Sequence, residues 1–402
     1  MAVHIVDAIP GSGKSSAMIN YINNAPADEK FLYITPYLEE VERIKENCMS
    51  KNFEEPQLAK GCNKSQDIRQ LFKQNKNVVS THSLFMRFNT TTSDYIKNNN
   101  YTLIIDEVAQ VIQILDITKY DFDIIKKMTT VGENGNLVWL DKSYDGVLNK
   151  YKYMCDMNCL TMYGDSVIIW MFPVEVFKYF KNVYILTYLF ESQMQKYYYD
   201  YHKIKYDYFY IKGTSIDSFE ITQEVQPVKH EFAKLITILD NKKLNSIGDD
   251  KFALSKSWYL RTSGTDDDLL EKLKKNTYNF FKNYTRTKSS DNIWSTFKSF
   301  RTKLAGKGYS KGFVSLNARA TNKYKDTCAA AYLVNTFMNP VIKKFFSVRG
   351  IEIDEDCYAL SELLQWLWRT RIRNSLPITV YIPSSRMRNL LINWIKEEQT
   401  NE

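Results

Sequence analysis

The sequence predicts an α/β protein of two domains, each built on a parallel sheet. Three observations carry this prediction. Short apolar runs alternate with amphipathic stretches through the first half, as in β-α units. Strand-like runs return at residues 313–316 and 378–382, with helical stretches between them. The 402 residues hold two or three ordinary domains of roughly 150 residues, and two α/β domains fit best.

In chain order, residues 3–7, 31–35, 77–81, 103–106 and 183–187 read as strands. They are rich in Val, Ile, Leu and Tyr, and several lack alternation, as strands covered on both faces do. Helices are expected at 14–24, at 38–48 and after Asp106. From about 128 to 166, Gly, Asn and Asp with scattered aromatics break the pattern, which reads as an insertion of loops with a hairpin. A strand at 205–211 lies near the boundary between a first domain, 1–200, and a second, 201–402. Residues 228–239, 267–284 and 291–304 carry apolar positions three and four apart, predicting a mainly helical insertion over about 228–305. Further helices are expected near 329–338 and 357–372. A closing helix at 386–398 has Leu390, Leu391, Trp394 and Ile395 on one face.

Hydrophobic residues make up 44% and charged residues 25% of the chain, ordinary usage that excludes a collagen, a disordered tail and a coiled-coil rod. Lys and Arg total 54 against 46 Asp and Glu, a net charge of +8. That permits a nucleic-acid partner without demanding one, because clustering decides phosphate binding. Six Cys and four His are too sparse for a disulfide framework or a structural zinc. Cys155 and Cys159 form the only close pair, and the cysteines read as buried thiols of a reducing compartment. The longest apolar run, 167–174, is far short of the ~20 residues that span a bilayer, and no basic leader precedes the first strand. A soluble, cytoplasmic protein is expected.

Ala8-Ile9-Pro10-Gly11-Ser12-Gly13-Lys14-Ser15 matches the phosphate-loop pattern, with Ala at the first Gly position. The pattern requires a strand before it and a helix after it, and both are expected here. Glycines let the backbone wrap a phosphate with its amides, and the helix start adds the positive end of its dipole. Pro10, Gly11, Ser12, Gly13, Lys14, Ser15 and Ser16 are therefore the expected nucleotide-binding residues. Lys14 would reach the β- and γ-phosphates and Ser15 would ligate Mg²⁺.

Tyr101-Thr102-Leu103-Ile104-Ile105-Asp106-Glu107 is an apolar strand ending in two carboxylates. A helix start would also attract such acids. Beside a phosphate loop they suit an NTP hydrolase, Asp106 holding Mg²⁺ and Glu107 polarising the attacking water. Far along the chain, Gln365, Arg369 and Arg373 are spaced i, i+4, i+8 on one face of an expected helix. Leu363, Leu364, Leu367 and Trp368 form its core side. Arginine forks suit the charge on a transferring phosphoryl group, although a solvated basic face has the same spacing.

Together these motifs resemble the superfamily 2 helicases and translocases, in particular the small DEAD/DEAH-like helicases encoded by bacteriophages. Gln365, Arg369 and Arg373 are similar to that family's sixth motif. Tyr33-Ile34-Thr35-Pro36, Val79-Ser80-Thr81-His82, Leu186-Thr187-Tyr188 and Ser315-Leu316-Asn317-Ala318-Arg319 follow expected strands in the family's order, over roughly residues 3–382. The strand-end acids continue as Val108-Ala109, a departure from the full family tetrapeptide. The resemblance implies two RecA-like phosphate-loop NTPase domains closing on ATP and Mg²⁺. Hydrolysis would step the protein along a nucleic acid, single-stranded or forked DNA in first place and RNA in second. It implies catalytic roles for Lys14, Asp106, Glu107, Gln365, Arg369 and Arg373, and a coupling role for Thr187. Nucleic-acid contacts would come from Thr35, Thr81, His82, Asn317 and Arg319. Phage replication or recombination proteins would be its partners, in the cytoplasm of the host cell. Two other readings share the phosphate loop. A terminase-like packaging ATPase needs dispersed nuclease carboxylates, which the adjacent Asp354, Glu355 and Asp356 do not supply. An ATP-switched nucleic-acid-binding protein would not unwind at all.

Overall fold

The structure, a computed structural model, describes residues 1–36, 38–58, 63–97, 99–133, 135–225, 231–265, 267–316 and 322–400. The chain divides into two compact units, Met1–Val225 with Asn339–Ile353, and Gln226–Met338 with Asp354–Glu402. The first therefore extends past the boundary expected at residue 200. No helix among the described residues is long and apolar enough to cross a membrane.

The strands of the first unit are β1 (Ala2–Asp7), β2 (Lys30–Thr35), β3 (Phe53–Glu54), β4 (Asn77–Thr81), β5 (Tyr101–Asp106), β6 (Ile112–Ile114), β7 (Thr129–Val131), β8 (Leu137–Trp139), β9 (Leu160–Tyr163), β10 (Val167–Met171), β11 (Asn182–Thr187), β12 (Asp207–Lys212) and β13 (Glu220–Thr222). Eight of them form one sheet in the order β13-β12-β1-β11-β5-β2-β4-β3. Every pair is parallel except β12–β13. The runs without alternation are the central strands, buried on both faces as a parallel sheet requires. Met18 and Ile22 of helix Lys14–Asn24 and Val41 and Ile44 of helix Leu38–Asn47 share a core with Val6, Phe31, Tyr33, Ile104 and Leu186.

The helix expected after Asp106 does not form. Glu107 takes a left-handed backbone, φ 65°, and its amide donates to the Leu186 carbonyl at 2.9 Å. The Ala109 amide is held by Gln195 Oε1 at 2.9 Å, so the chain leaves in an extended course. The insertion thus begins earlier than 128. β6, β10 and β9 make an antiparallel three-stranded sheet, and β7 and β8 make the hairpin. Burial pushes the Cys155 and Cys159 thiols there up to about 12.

Helix Pro340–Ser347 also belongs to the first unit. Its Phe345 and Phe346 rings pack on Tyr163, Tyr201 and Tyr197, with centroids 5.6–6.0 Å apart.

The second unit holds a parallel sheet of β14 (Ile236–Ile238), β15 (Asn292–Ser295), β16 (Ala329–Tyr332) and β17 (Ile378–Tyr381), ordered β14-β17-β16-β15. Helices Lys256–Thr265 and Asp267–Asn279, the latter continued by a π-helical turn Phe280–Thr285, supply the helical insertion. Its flanks are corrected. Within the stretches expected as helices at 228–239 and 291–304, residues 236–238 and 292–295 form β14 and β15, where β-branched and aromatic residues suit the pleat. Glu231–Leu235, Lys298–Phe300 and Arg301–Leu304 keep short helical turns, and 228–230 lie outside the described residues. The helix expected at 329–338 begins instead as β16, whose Ala329, Ala330 and Ala331 are fully buried between β15 and β17. An alanine run favours helix in isolation, and the two flanking strands override that preference. The strand expected at 313–316 is reduced to a single bridge from Phe313 to Trp294.

One stability consequence is direct. Ala330→Leu adds methylenes to a fully buried strand, so it should cost about 1–3 kcal/mol. Urea unfolding followed by circular dichroism should show that loss as a lower midpoint, and an unchanged midpoint would contradict the packing of β16.

Candidate functional site

The carboxyl ends of parallel strands in an open α/β sheet form a crevice where ligands bind. Here the register aligns Asp7 with Thr187, Leu186 with Asp106 and Thr35 with Thr81. The sequence-identified polar residues of the first unit therefore share one edge.

At that edge, β1 runs into a loop that turns through two left-handed glycines, Gly11 at φ 86° and Gly13 at φ 88°. Gly13 caps helix Lys14–Asn24 without a side-chain hydrogen bond, which leaves the first-turn amides for an anion. Lys14 is buried, and its Nζ donates to the carbonyls of Ala8 at 2.5 Å and Ile9 at 3.1 Å. Burial lowers its pKa, against the pull of Glu107, Asp106 and Asp7.

Asp106 ends β5 opposite this loop. Ser15 Oγ donates to Asp106 Oδ2 at 3.0 Å, and the Tyr33 hydroxyl donates to the same oxygen at 2.9 Å. Burial, with the neighbouring Glu107 charge second, pushes the Asp106 carboxyl up to about 6. Only β11 separates β1 from β5, and it ends in Thr187, whose carbonyl accepts the Ala8 amide at 3.0 Å. The hydroxyls of Ser12, Thr35 and Thr187 are buried without a hydrogen-bond partner. Such groups are costly unless something polar reaches them. A hydroxyl beside a carboxylate, a lysine and an open amide cradle suit a phosphate with a divalent cation.

His82 lies inward, its Nε2 2.8 Å from the Asp106 carbonyl oxygen, and is largely buried. Thr81 leads into the short helix His82–Phe85 without a side-chain capping bond. Asn317 and Arg319 lie outside the described residues.

The arginine motif is rearranged. The helix expected over 357–372 is Glu355–Leu367, so Gln365, Arg369 and Arg373 do not share one helical face. Thr370 ends it: its backbone is extended, its hydroxyl donates to Leu367, and the next amide, Arg371 N, donates to the Thr327 carbonyl at 3.1 Å. A short 3₁₀ helix, Arg371–Asn374, follows. Arg369 is buried and donates to the carbonyls of Ser315 at 3.2 Å and Leu316 at 3.3 Å. Gln365 is half-buried and Arg373 is exposed. Asp354, Glu355 and Asp356 have structural partners. Asp354 caps helix Glu355–Leu367, Glu355 accepts the Met338 amide, and Asp356 pairs with Arg386 at 2.6 Å.

Sequence reasoning missed Tyr33 and Asp7. Tyr33 was visible only as the residue before Ile34-Thr35-Pro36, and its pairing with Asp106 needs β2 beside β5. Asp7 accepts the amides of Leu189 and Phe190, both at 2.9 Å, tying the chain after Thr187 to the start of the glycine-turned loop.

Residues 112–170 match the family model of the YonV middle domain, and residues 230–395 match that of the YonV C-terminal Rossmann-like domain. The first range coincides with the β6–β10 insertion. Among solved structures, the chain is similar to Xpd4 of S. tokodaii, with a TM-score of 0.46 at 10% identity, covering 98% of this chain and 94% of that one. It is also similar to a hypothetical ATP-dependent RNA helicase from Sulfolobus tokodaii, with a TM-score of 0.28 at 10% identity, covering 99% and 90%. The SPbeta prophage-derived uncharacterized protein YonV of Bacillus subtilis (strain 168) is 39% identical over 412 residues, covering 99% of each chain. The chain belongs to the YonV family.

Proposed function

We propose that this protein hydrolyses ATP with Mg²⁺ in the first unit and couples hydrolysis to movement along a nucleic acid. The observation that carries this reading is the convergence on one sheet edge of a glycine-turned loop, buried Lys14, and Ser15 in contact with Asp106. Ser15 and Asp106 would hold Mg²⁺, which neutralises charge on the β- and γ-oxygens when bound. Lys14 would swing from the Ala8 and Ile9 carbonyls to the phosphates, and Ser12 and the loop amides would complete the cradle. Glu107, turned by its left-handed backbone, would accept a proton from the attacking water. Thr187, with Asp7 anchoring the chain after it, would transmit the state of the loop.

The nucleic-acid half is supported by the motif order and by Thr35 and Thr81 standing side by side beyond the carboxylates. The net charge of +8 allows it. The structural roles of Asp354, Glu355 and Asp356 weigh against a packaging nuclease. Within the second unit, Arg369 positions the Ser315–Leu316 turn, and exposed Arg373 is the motif arginine that would be open to a charge-stabilising role. ATPase rates measured with single- and double-stranded DNA and RNA test the whole reading. Severalfold stimulation by at least one of them is expected, and no stimulation by any would sink the coupling.

Two variants separate the roles. Tyr33→Phe removes one of the two donors that orient Asp106, so Mg²⁺ half-saturation should rise about tenfold or more; an unchanged Mg²⁺ dependence would discard Tyr33 as a positioning residue. Arg369→Ala leaves two carbonyls without their donor and should lower stability by about 1–3 kcal/mol. Arg373→Ala should lower turnover without changing the urea midpoint. The reverse pattern would exchange the two assignments.

A further inference from the structure

The turn between β12 and β13 reaches the phosphate loop from a part of the sequence that carries no nucleotide motif. β12 is the parallel neighbour of β1, with His4 opposite Asp207 and Val6 opposite Phe209. Its turn is tightly built. Gly213 has φ 111° and lies so close to the Ser218 carbonyl that a Cβ would stand 2.3 Å from it. Ser218 Oγ accepts the amides of Thr214 and Ser215 at 3.1 and 3.0 Å. The turn is also fastened to the phosphate-loop helix, where Asn20 Nδ2 donates to the carbonyls of Ile216 at 2.9 Å and Phe219 at 3.0 Å.

These bonds place the Phe219 ring. A Cβ on Gly13 would lie 2.6 Å from it. Phe219 has an extended backbone, so it shares a face with Ile221, two residues on. Ile221 packs on the core of the sheet, while Phe219 is only half-buried and lies outside that core. The face therefore continues past the sheet as an aromatic ring beside Gly13. Ser16 and Asn20 lie one and two turns along the same helix face, and the Arg43 guanidinium donates to Ser16 Oγ at 3.3 Å.

We propose that Phe219 is the nucleobase platform of this site, with the 213–219 turn as its wall and Asn20 as the residue that positions it. The inference rests on the nucleotide reading above. A half-exposed ring fixed beside a phosphate cradle offers a π-face to the base of a nucleotide whose phosphates occupy the loop. Stacking of that kind is worth roughly five- to a hundredfold in affinity. It gives the site a grip on a nucleoside triphosphate that it lacks for the phosphates alone.

Titration calorimetry of the full chain with Mg²⁺ and either ATP or inorganic tripolyphosphate tests this. Wild type should bind ATP at least about fivefold tighter than tripolyphosphate. Phe219→Ala should lose most of that difference while holding tripolyphosphate as wild type does, which also reports that the loop is intact. Phe219→Trp should keep ATP affinity, and its fluorescence should change with ATP and not with tripolyphosphate. The proposal is overturned if Phe219→Ala binds ATP as tightly as wild type. Equal losses for both ligands also overturn it, because the ring would then only brace the loop; so does a Phe219→Trp signal indifferent to ATP. If wild type binds neither ligand, the nucleotide reading itself falls.

Discussion

Lys14→Ala should abolish ATP hydrolysis while leaving the fold intact. Lys14 is the buried cation among Asp7, Asp106 and Glu107, and its ammonium rests on two loop carbonyls. Burial already disfavours its charged form, so its loss relieves a desolvation penalty even as it strips the loop of its positive charge. On the proposed mechanism, what disappears is the fixed charge that would meet the β- and γ-phosphates. Removing a single preorganised group of this kind lowers turnover about a hundredfold to a thousandfold. Phosphate release at saturating ATP measures it, with a thermal melt to confirm folding. A well-folded variant that keeps more than half of wild-type turnover would remove the phosphate loop from the mechanism.

Glu107→Gln should leave ATP binding in place and stop its hydrolysis. The substitution keeps shape and hydrogen-bonding length but removes the proposed base, and general-base catalysis is worth about a hundredfold to ten-thousandfold. The left-handed backbone at Glu107, with its amide on the Leu186 carbonyl, sets this side chain apart from Asp106. The two adjacent acids can thus do different work. The variant should retain ATP through gel filtration, where wild type would release ADP. Asp106→Asn should behave differently, weakening Mg²⁺-dependent binding because Ser15 and Tyr33 both lean on that carboxylate. If Glu107→Gln turns over normally, the base is elsewhere. If it no longer binds ATP, Glu107 is a binding residue.

How much of this was legible in advance differs sharply between the halves. β1, β2, β4, β5 and β11 fall within two residues of the expected strands, because a buried parallel strand between turn residues leaves an unbroken apolar run. The loop that turns at Gly11 and Gly13 was legible for a related reason: Gly-Ser-Gly-Lys-Ser meets steric demands that are local to a few residues. In the second unit, Ile236-Thr237-Ile238 and Ala329-Ala330-Ala331 read as helix and fold as strand. Short apolar segments carry no decisive period, and their neighbours β15 and β17 decide the matter through backbone bonds contributed from far along the chain. The arginine helix misleads in the same way, since its spacing holds only while the helix does. Thr370 and the Thr327 carbonyl end it first.

By itself, then, the sequence determined the α/β class, the glycine-turned loop ahead of helix Lys14–Asn24 and the strand that presents Asp106 and Glu107. Each depends on interactions within one turn or one strand. Only the tertiary structure decided that Tyr33 orients Asp106, that Asp7 ties the chain after Thr187 to the loop, and that Phe219 stands over Gly13. Those pairings join residues distant in the chain, and sheet order brings them together. Strand adjacency follows from the packing of the whole unit, which no local pattern encodes.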